Sequence, residues 1–225
     1  MIQVDNYERH KETIEKGPYI KKLDLAVSCA LLGDLTPMEM TSCRVTWELL
    51  ERWELAPEML FKMAEEESRN HLSPMIEPMS DVLKGFLMEE FLEDAKEDMD
   101  KALINAETEY RRLFGNAGSD MPEIYVLSNE LRIKGAAVIF YTDILKKFSE
   151  ELGEDLILLP SSIHEWLILP AGMNMNIKVL EDMVREANTK VVTDEEVLSE
   201  HVYIYSREKA ELFIAGEDGA PKVGI

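Results

Sequence analysis

Residues 154–170, EDLILLPSSIHEWLILP, restrict this chain more than any other segment. Two apolar runs, 156–159 and 166–169, have the length of strands and do not alternate with polar residues. Such runs read as buried strands, here joined by a bend. The bend holds Ser161, Ser162, His164 and Glu165. Nowhere else do a hydroxyl, an imidazole and a carboxylate sit together beside buried strands. Ser-Ser is a poor two-residue turn, because neither residue favours positive φ. The bend is therefore expected to span 160–165, with a serine hydroxyl bonded back to the main chain. If His164 begins the second strand, it shares a face with Trp166, and Glu165 points the other way.

Three readings of this knot stand side by side. It is a structural loop with satisfied hydroxyls, a binding site, or the centre of a small hydrolase using Ser161 or Ser162 with His164. A triad needs a base within about 3 Å of its nucleophile and a third group to orient the base. Neighbours in sequence do not make one by themselves, and no G-x-S-x-G elbow is present. Ser161, Ser162, His164 and Glu165 are therefore taken as a candidate functional loop, the structural reading is preferred, and no catalytic residue is assigned.

The formal net charge of −21 limits the partners. It repels polyphosphate backbones and anionic membrane surfaces, so neither nucleic acid nor membrane is expected as a partner. Basic or neutral partners suit it; a nucleic-acid mimic is the sharper alternative. Cys29 and Cys43 are too few for a disulfide framework or a zinc site. The charged start, MIQVDNYERHK, lacks the apolar region of a secretory signal. No apolar run approaches the roughly 20 residues of a membrane span. A reduced cytoplasm is the expected setting.

Residues 5–16 read as a short helix stopped by Gly17-Pro18. Residues 23–32 are a buried strand or helix, and 40–47 alternate weakly, as a strand would. Pro57 suits the first turn of a helix over 58–70 that buries Leu60, Phe61 and Ala64. Residues 81–113 give the clearest helix. Leu92, Ala95, Met99, Ala102, Ala106, Tyr110 and Leu113 form one stripe, and Glu89, Glu90, Glu93, Asp94, Glu97, Asp98 and Asp100 an acidic face. That is a solvated helix packed on a core, or a partner-binding or dimerising one. Residues 115–119, GNAGS, mark a linker.

Beyond it, 124–128 and 136–141 read as strands, the second covered on both sides. A helix follows from Thr142 to a stop at Gly153. Then come the two strands of the knot, a helix after Asn176, a short helix from a capping box at 193–196, and a hairpin of 202–206 with 211–215. The chain divides into an α+β region (1–85), a long acidic amphipathic helix (86–114) and a C-terminal α+β domain (121–225) of order ββαββααββ. The fold class is α+β: a helix-rich N-terminal half, and a C-terminal, mainly antiparallel sheet with helices on one face.

Other candidates for chemistry are weaker. His10, His71, His164 and His201 form no H-x-x-x-H or H-E-x-x-H motif. A metal site would need distant segments to converge, for example His164 with His201 and a carboxylate. Arg111-Arg112 and Lys146-Lys147 read as solvated charge. Residues 115–118 lack the length and lysine of a phosphate loop, and no dinucleotide fingerprint follows a strand, so no cofactor is assigned. Met38, Met40, Met59, Met63, Met75, Met79 and Met88 are core filling, or an adaptable binding surface if exposed.

The pieces YVLSN (125–129), GAAVIFY (135–141), LPSSIHEWLILP (159–170) and VLSEHVYIYSRE (197–208) together resemble domain of unknown function 5688, an uncharacterised family of mainly anaerobic Gram-positive bacteria. NYERHKE, LDLAV and VTWELLERWEL resemble the middle region of that family, and PSSIHE is the most specific element. This chain starts near NYER and reads as a short or partial member. The resemblance implies a bacterial cytoplasmic protein and brings no activity, cofactor or catalytic residue. The expected function is a non-catalytic protein-interaction or regulatory module, possible as a homodimer, with the hydrolase and a metal-binding protein as alternatives.

Overall fold

The computed structural model describes residues 1–35, 40–94, 98–115 and 123–222. Its architecture is α+β, with antiparallel sheets throughout. The first sheet contains β1 (Ile2–Asn6), β2 (Tyr19–Lys22), β3 (Leu25–Leu35) and β4 (Met40–Arg44). β3 is central and pairs with the other three. The 23–32 run, ambiguous by length, is therefore a strand: two flanking strands saturate its backbone. Around this sheet lie α1 (Tyr7–Ile14), α2 (Trp47–Arg52) and α3 (Pro57–His71). The N-terminal half is thus helical only in part. In α3, Leu60 and Ala64 are buried as expected, while Phe61 is half-buried; the third buried position is Ser68.

The second sheet contains β5 (Pro74–Pro78), β6 (Tyr125–Asn129), β7 (Leu156–Ser162), β8 (Glu165–Pro170), β9 (Tyr203–Ser206) and β10 (Glu211–Ile214), in the order β10-β9-β7-β8-β6-β5. The two terminal hairpin strands were legible; β5 was not. Its prolines read as breakers, yet they suit an edge. Hydrogen bonds Met79 N–H to Ile124 O and Glu130 N–H to Ser73 O fix which residues of β5 face β6. Met75 and Glu77 face inward, so Pro74 and Pro78 stand where an N–H would point away from the sheet.

Residues 81–113 form two helices instead of one, α4 (Met79–Asp94) and α5 (Met99–Phe114), which pack on each other. Asp98 interrupts the run as an N-cap, its carboxylate accepting the Lys101 N–H at 3.2 Å. Of the expected stripe, Ala102 and Ala106 are buried and Tyr110 is half-buried, while Met99 and Leu113 are exposed. Ala95, and the expected linker beyond Gly115, lie outside the described residues.

Residues 136–141 were expected to be a central strand. They form a 3-10 helix over Gly135–Phe140, buried from Gly135 to Ile139. An apolar run covered on all sides has no periodicity to separate the two forms. Context decides: Lys134 is left-handed (φ 50°), and Gly135 fits against backbone where a Cβ would stand 2.6 Å from Asn129 N and 2.7 Å from His164 O. α6 (Thr142–Leu152) and α7 (Ile177–Lys190) appear as expected, but on opposite faces of the second sheet. Residues 193–196 make a single turn, with Glu196 N–H on Thr193 O, and no helix. The observed order after residue 123 is therefore strand, 3-10 helix, helix, two strands, helix, two strands, with a second short 3-10 turn at Ala171–Met173.

One core cluster joins both sheets. Val4, Leu25 and Val27 share it with Leu127, Leu156, Leu158, Trp166 and Tyr203, and the 3-10 helix is part of it. Ile157, Leu159 and Leu169 point to the other face, against Leu180 and Val184 of α7. Each such side chain contributes about 1.5–3 kcal/mol on burial, which explains why 156–159 carries no polar residue. Among the described residues, no helix is long and apolar enough to cross a membrane.

Candidate functional site

The knot is tighter than the expected span. β7 and β8 close on a two-residue turn, Ile163-His164, with Ser162 opposite Glu165. The register shifts between Pro160 and Ser162, so Ser161 bulges from the ladder. Ser-Ser is tolerated because neither serine occupies a turn centre. Pro160 is tolerated too: β9 accompanies β7 only to Leu158.

Each polar group of the knot has a partner inside the fold. Ser161 Oγ donates to Glu165 Oε1 at 3.2 Å. Ser162 Oγ accepts the His164 N–H at 3.1 Å. Ser128 Oγ, fully buried, donates to the His164 carbonyl at 2.7 Å. The imidazole is bound at both nitrogens. Nδ1 accepts the Lys134 backbone N–H at 3.0 Å, which leaves the proton of the neutral ring on Nε2, 3.2 Å from Glu196 Oε1. Thr193 Oγ1 donates to the other Glu196 oxygen at 2.9 Å, and Ile163 N–H donates to the Glu196 carbonyl at 3.0 Å. Below the turn, Ala136 N–H donates to Ile163 O, and Trp166 Nε1 to Ala136 O at 2.9 Å.

The turn is thus gripped from both sides by loops far away in sequence, around Lys134 and around Glu196. The Thr193 hydroxyl, and after it the His164 imidazole, hold the Glu196 carboxyl below the usual carboxylate range. The Lys134 side chain runs from the knot to the first sheet. Its Nζ donates to Gln3 Oε1 and Ser42 Oγ, both at 3.1 Å. Burial lowers its pKa, against the opposing pull of Asp5. Beside it, Arg44 Nη2 donates to Asp5 Oδ2 at 2.9 Å.

The four expected residues do meet, Ser161 on Glu165 and Ser162 on the His164 N–H. Neither serine hydroxyl bonds to the imidazole. Sequence reading missed Lys134 and Glu196. Lys134 acts through its backbone N–H and carries no local signal. Glu196 had one: it belongs to the Thr193 capping box, whose side-chain contact forms while its carboxylate also reaches His164. Another cluster was invisible in sequence. Asp24 in the β2–β3 turn accepts Ser199 Oγ–H at 2.7 Å and the Tyr203 hydroxyl. Burial, and then the Asp24 charge, raise the Tyr203 phenol pKa.

The His164–His201 metal site does not assemble. The His164 ring faces Lys134 and Glu196, and His201 is exposed. Among the described residues, no group of three or more His, Cys, Asp or Glu is placed to hold a metal ion.

Fold and site together define an α+β protein of two linked antiparallel sheets, with its most specific sequence motif built into a hairpin turn. The chain belongs to the family of unknown function DUF5688, whose model matches residues 1–207. No curated protein and no solved structure matches it.

Proposed function

We propose that this protein is a non-catalytic protein-interaction module of the bacterial cytoplasm, in which the knot is scaffold and the α4–α5 pair is the contact surface. One observation carries the reading: α5 leaves Met99, Leu103, Ile104, Leu113 and Phe114 in solvent, with Leu103 57% and Ile104 66% exposed. Large apolar side chains gathered on one element are what a partner surface supplies. Asp100, Glu89 and Glu90 are exposed on the same pair. A neutral or basic protein surface with apolar residues of its own complements them. The occupied imidazole supports the non-catalytic half of the reading. The unpaired cysteines, one buried and one exposed, suit a reducing compartment.

The test uses the full chain as bait in lysate, beside Leu103→Ser/Ile104→Ser. Both residues are exposed, so the variant should keep its circular dichroism and melting temperature and lose the captured protein. Equal capture by both would remove α5 as the contact. Fluorophosphonate labelling of the wild type that disappears in Ser161→Ala/Ser162→Ala would instead establish the hydrolase.

A further inference from the structure

The two edges of the second sheet are treated differently. At β5 the outward positions are Pro74, Ile76 and Pro78, and the prolines have no N–H to offer a further strand. At β10 the outward positions follow from the Ala215 N–H bond to Val202 O: Glu211 and Phe213 pair with β9, while Leu212 and Ile214 point away. The Ile214 carbonyl is taken by Glu217 N–H. The Leu212 N–H and C=O have no partner among the described residues.

Leu212 borders a cleft of about 300 Å³ whose opposite wall is β2. The same register logic applies there. Ala30 N–H on Met1 O assigns Ala26, Ser28 and Ala30 of β3 to β1, so Lys22 and Ile20 bond to β3 and the Lys21 backbone faces out. The cleft therefore lies between two strand edges, each with a free peptide group. Its remaining lining includes Ile139, Phe140 and Leu145. Lys21 is engaged with Glu8, whereas Lys22 makes no ion pair among the described residues.

We propose that this cleft binds an extended segment of another polypeptide by strand addition to β10, with apolar side chains toward Ile139 and Leu145 and an acidic residue toward Lys22. A donor and an acceptor one residue of strand apart match a peptide backbone. The prolines at β5 leave Ile76 as the single outward N–H of that edge, flanked on both sides by positions that cannot donate, so it is the less open of the two. The site is separate from the α5 surface, so either can fail without the other.

The probe is a fluorescein-labelled, C-terminally amidated Thr-Val-Thr-Val-Glu-Thr peptide, followed by anisotropy against the full chain. Binding should weaken by about tenfold or more, the equivalent of one hydrogen bond, when alternate peptide nitrogens are methylated. Leu212→Pro should do the same: the lost N–H serves nothing inside the fold, while the lost packing of the Leu212 side chain against the core should lower the melting temperature by a few degrees without unfolding the protein. If Leu212→Pro does not fold, the methylated peptide still decides. Leu103→Ser/Ile104→Ser should bind the peptide like the wild type. Absent binding, or equal affinity for plain and methylated peptides, overturns the proposal. So does a dimer in sedimentation velocity that Leu212→Pro disperses, since the occupant is then a second copy of this chain.

Discussion

Gly135→Ala tests whether the knot holds the fold together. An added Cβ would stand 2.2 Å from Ser128 Oγ, 2.6 Å from Asn129 N and 2.7 Å from His164 O. The serine can rotate away, but the other two atoms are backbone and belong to β6 and to the turn itself. Relief requires the 3-10 helix to move off the sheet. Overpacking of this kind costs about 1–3 kcal/mol, and losing the Ser128 bond to the His164 carbonyl adds about 1 kcal/mol. The sum of about 2–4 kcal/mol corresponds to a melting temperature lower by roughly 10 °C in a chain of this size. Urea unfolding followed by tryptophan fluorescence, to which buried Trp166 contributes beside the exposed Trp47 and Trp53, measures it directly. Ser128→Ala/Gly135→Ala should not recover the loss, because the backbone contacts remain. Gly85→Ala is the internal control: its Cβ meets nothing within 4 Å, so removing a glycine from the middle of α4 should stabilise by about 0.5–1 kcal/mol. A Gly135→Ala protein as stable as the wild type would refute the account of the knot as a clamp.

Three further outcomes follow. Tyr203→Phe removes a donor from the Asp24 carboxylate and should cost about 1.5–3 kcal/mol at neutral pH. The raised phenol pKa contributes stability that is complete below about pH 10, the unfolded tyrosine value, and is lost as pH rises above it. Wild type should therefore lose alkaline stability more steeply than Tyr203→Phe in denaturant titrations. Glu196 behaves with the opposite sign: its lowered pKa stabilises above the unfolded carboxylate value of about 4.3 and ceases to do so as pH falls through the folded value. The gap in unfolding free energy between wild type and Glu196→Gln should close on acidification. Finally, burial pushes the Cys29 thiol up to about 12, whereas Cys43 is exposed. A chromogenic disulfide should titrate one thiol quickly in the native protein and the second only after unfolding.

Much of the fold is written in local pattern. β7 and β8 were legible because eight apolar residues sit in two uninterrupted runs, and α6 and α7 because their buried residues recur at helical spacing, α7 behind the Asn176 cap and α6 ahead of the Gly153 stop; Thr142, expected to cap α6, is instead its first helical residue. The errors share a cause. The 3-10 helix at Gly135–Phe140 and the strand β5 are fixed by what packs beside them. The first has apolar residues on every side, so no period survives; the second has prolines whose meaning depends on which way their nitrogens face. In the site, Ser161 to Glu165 stood out by composition. Their roles did not, because the groups that define them, the Lys134 N–H and the Glu196 carboxylate, lie about thirty residues away on either side.

The contact between Asp24 and Tyr203 spans 179 positions of the chain. At roughly 5–20 residues per second, a ribosome needs about 10–35 s to supply the phenol after the aspartate has emerged. For that interval the β2–β3 turn carries a carboxylate that the finished protein half-buries, and water must serve in place of the tyrosine. All four strands of the first sheet are thus synthesised well before the phenol that covers their turn, and an arrested or shortened nascent chain would expose that uncovered side to chaperones.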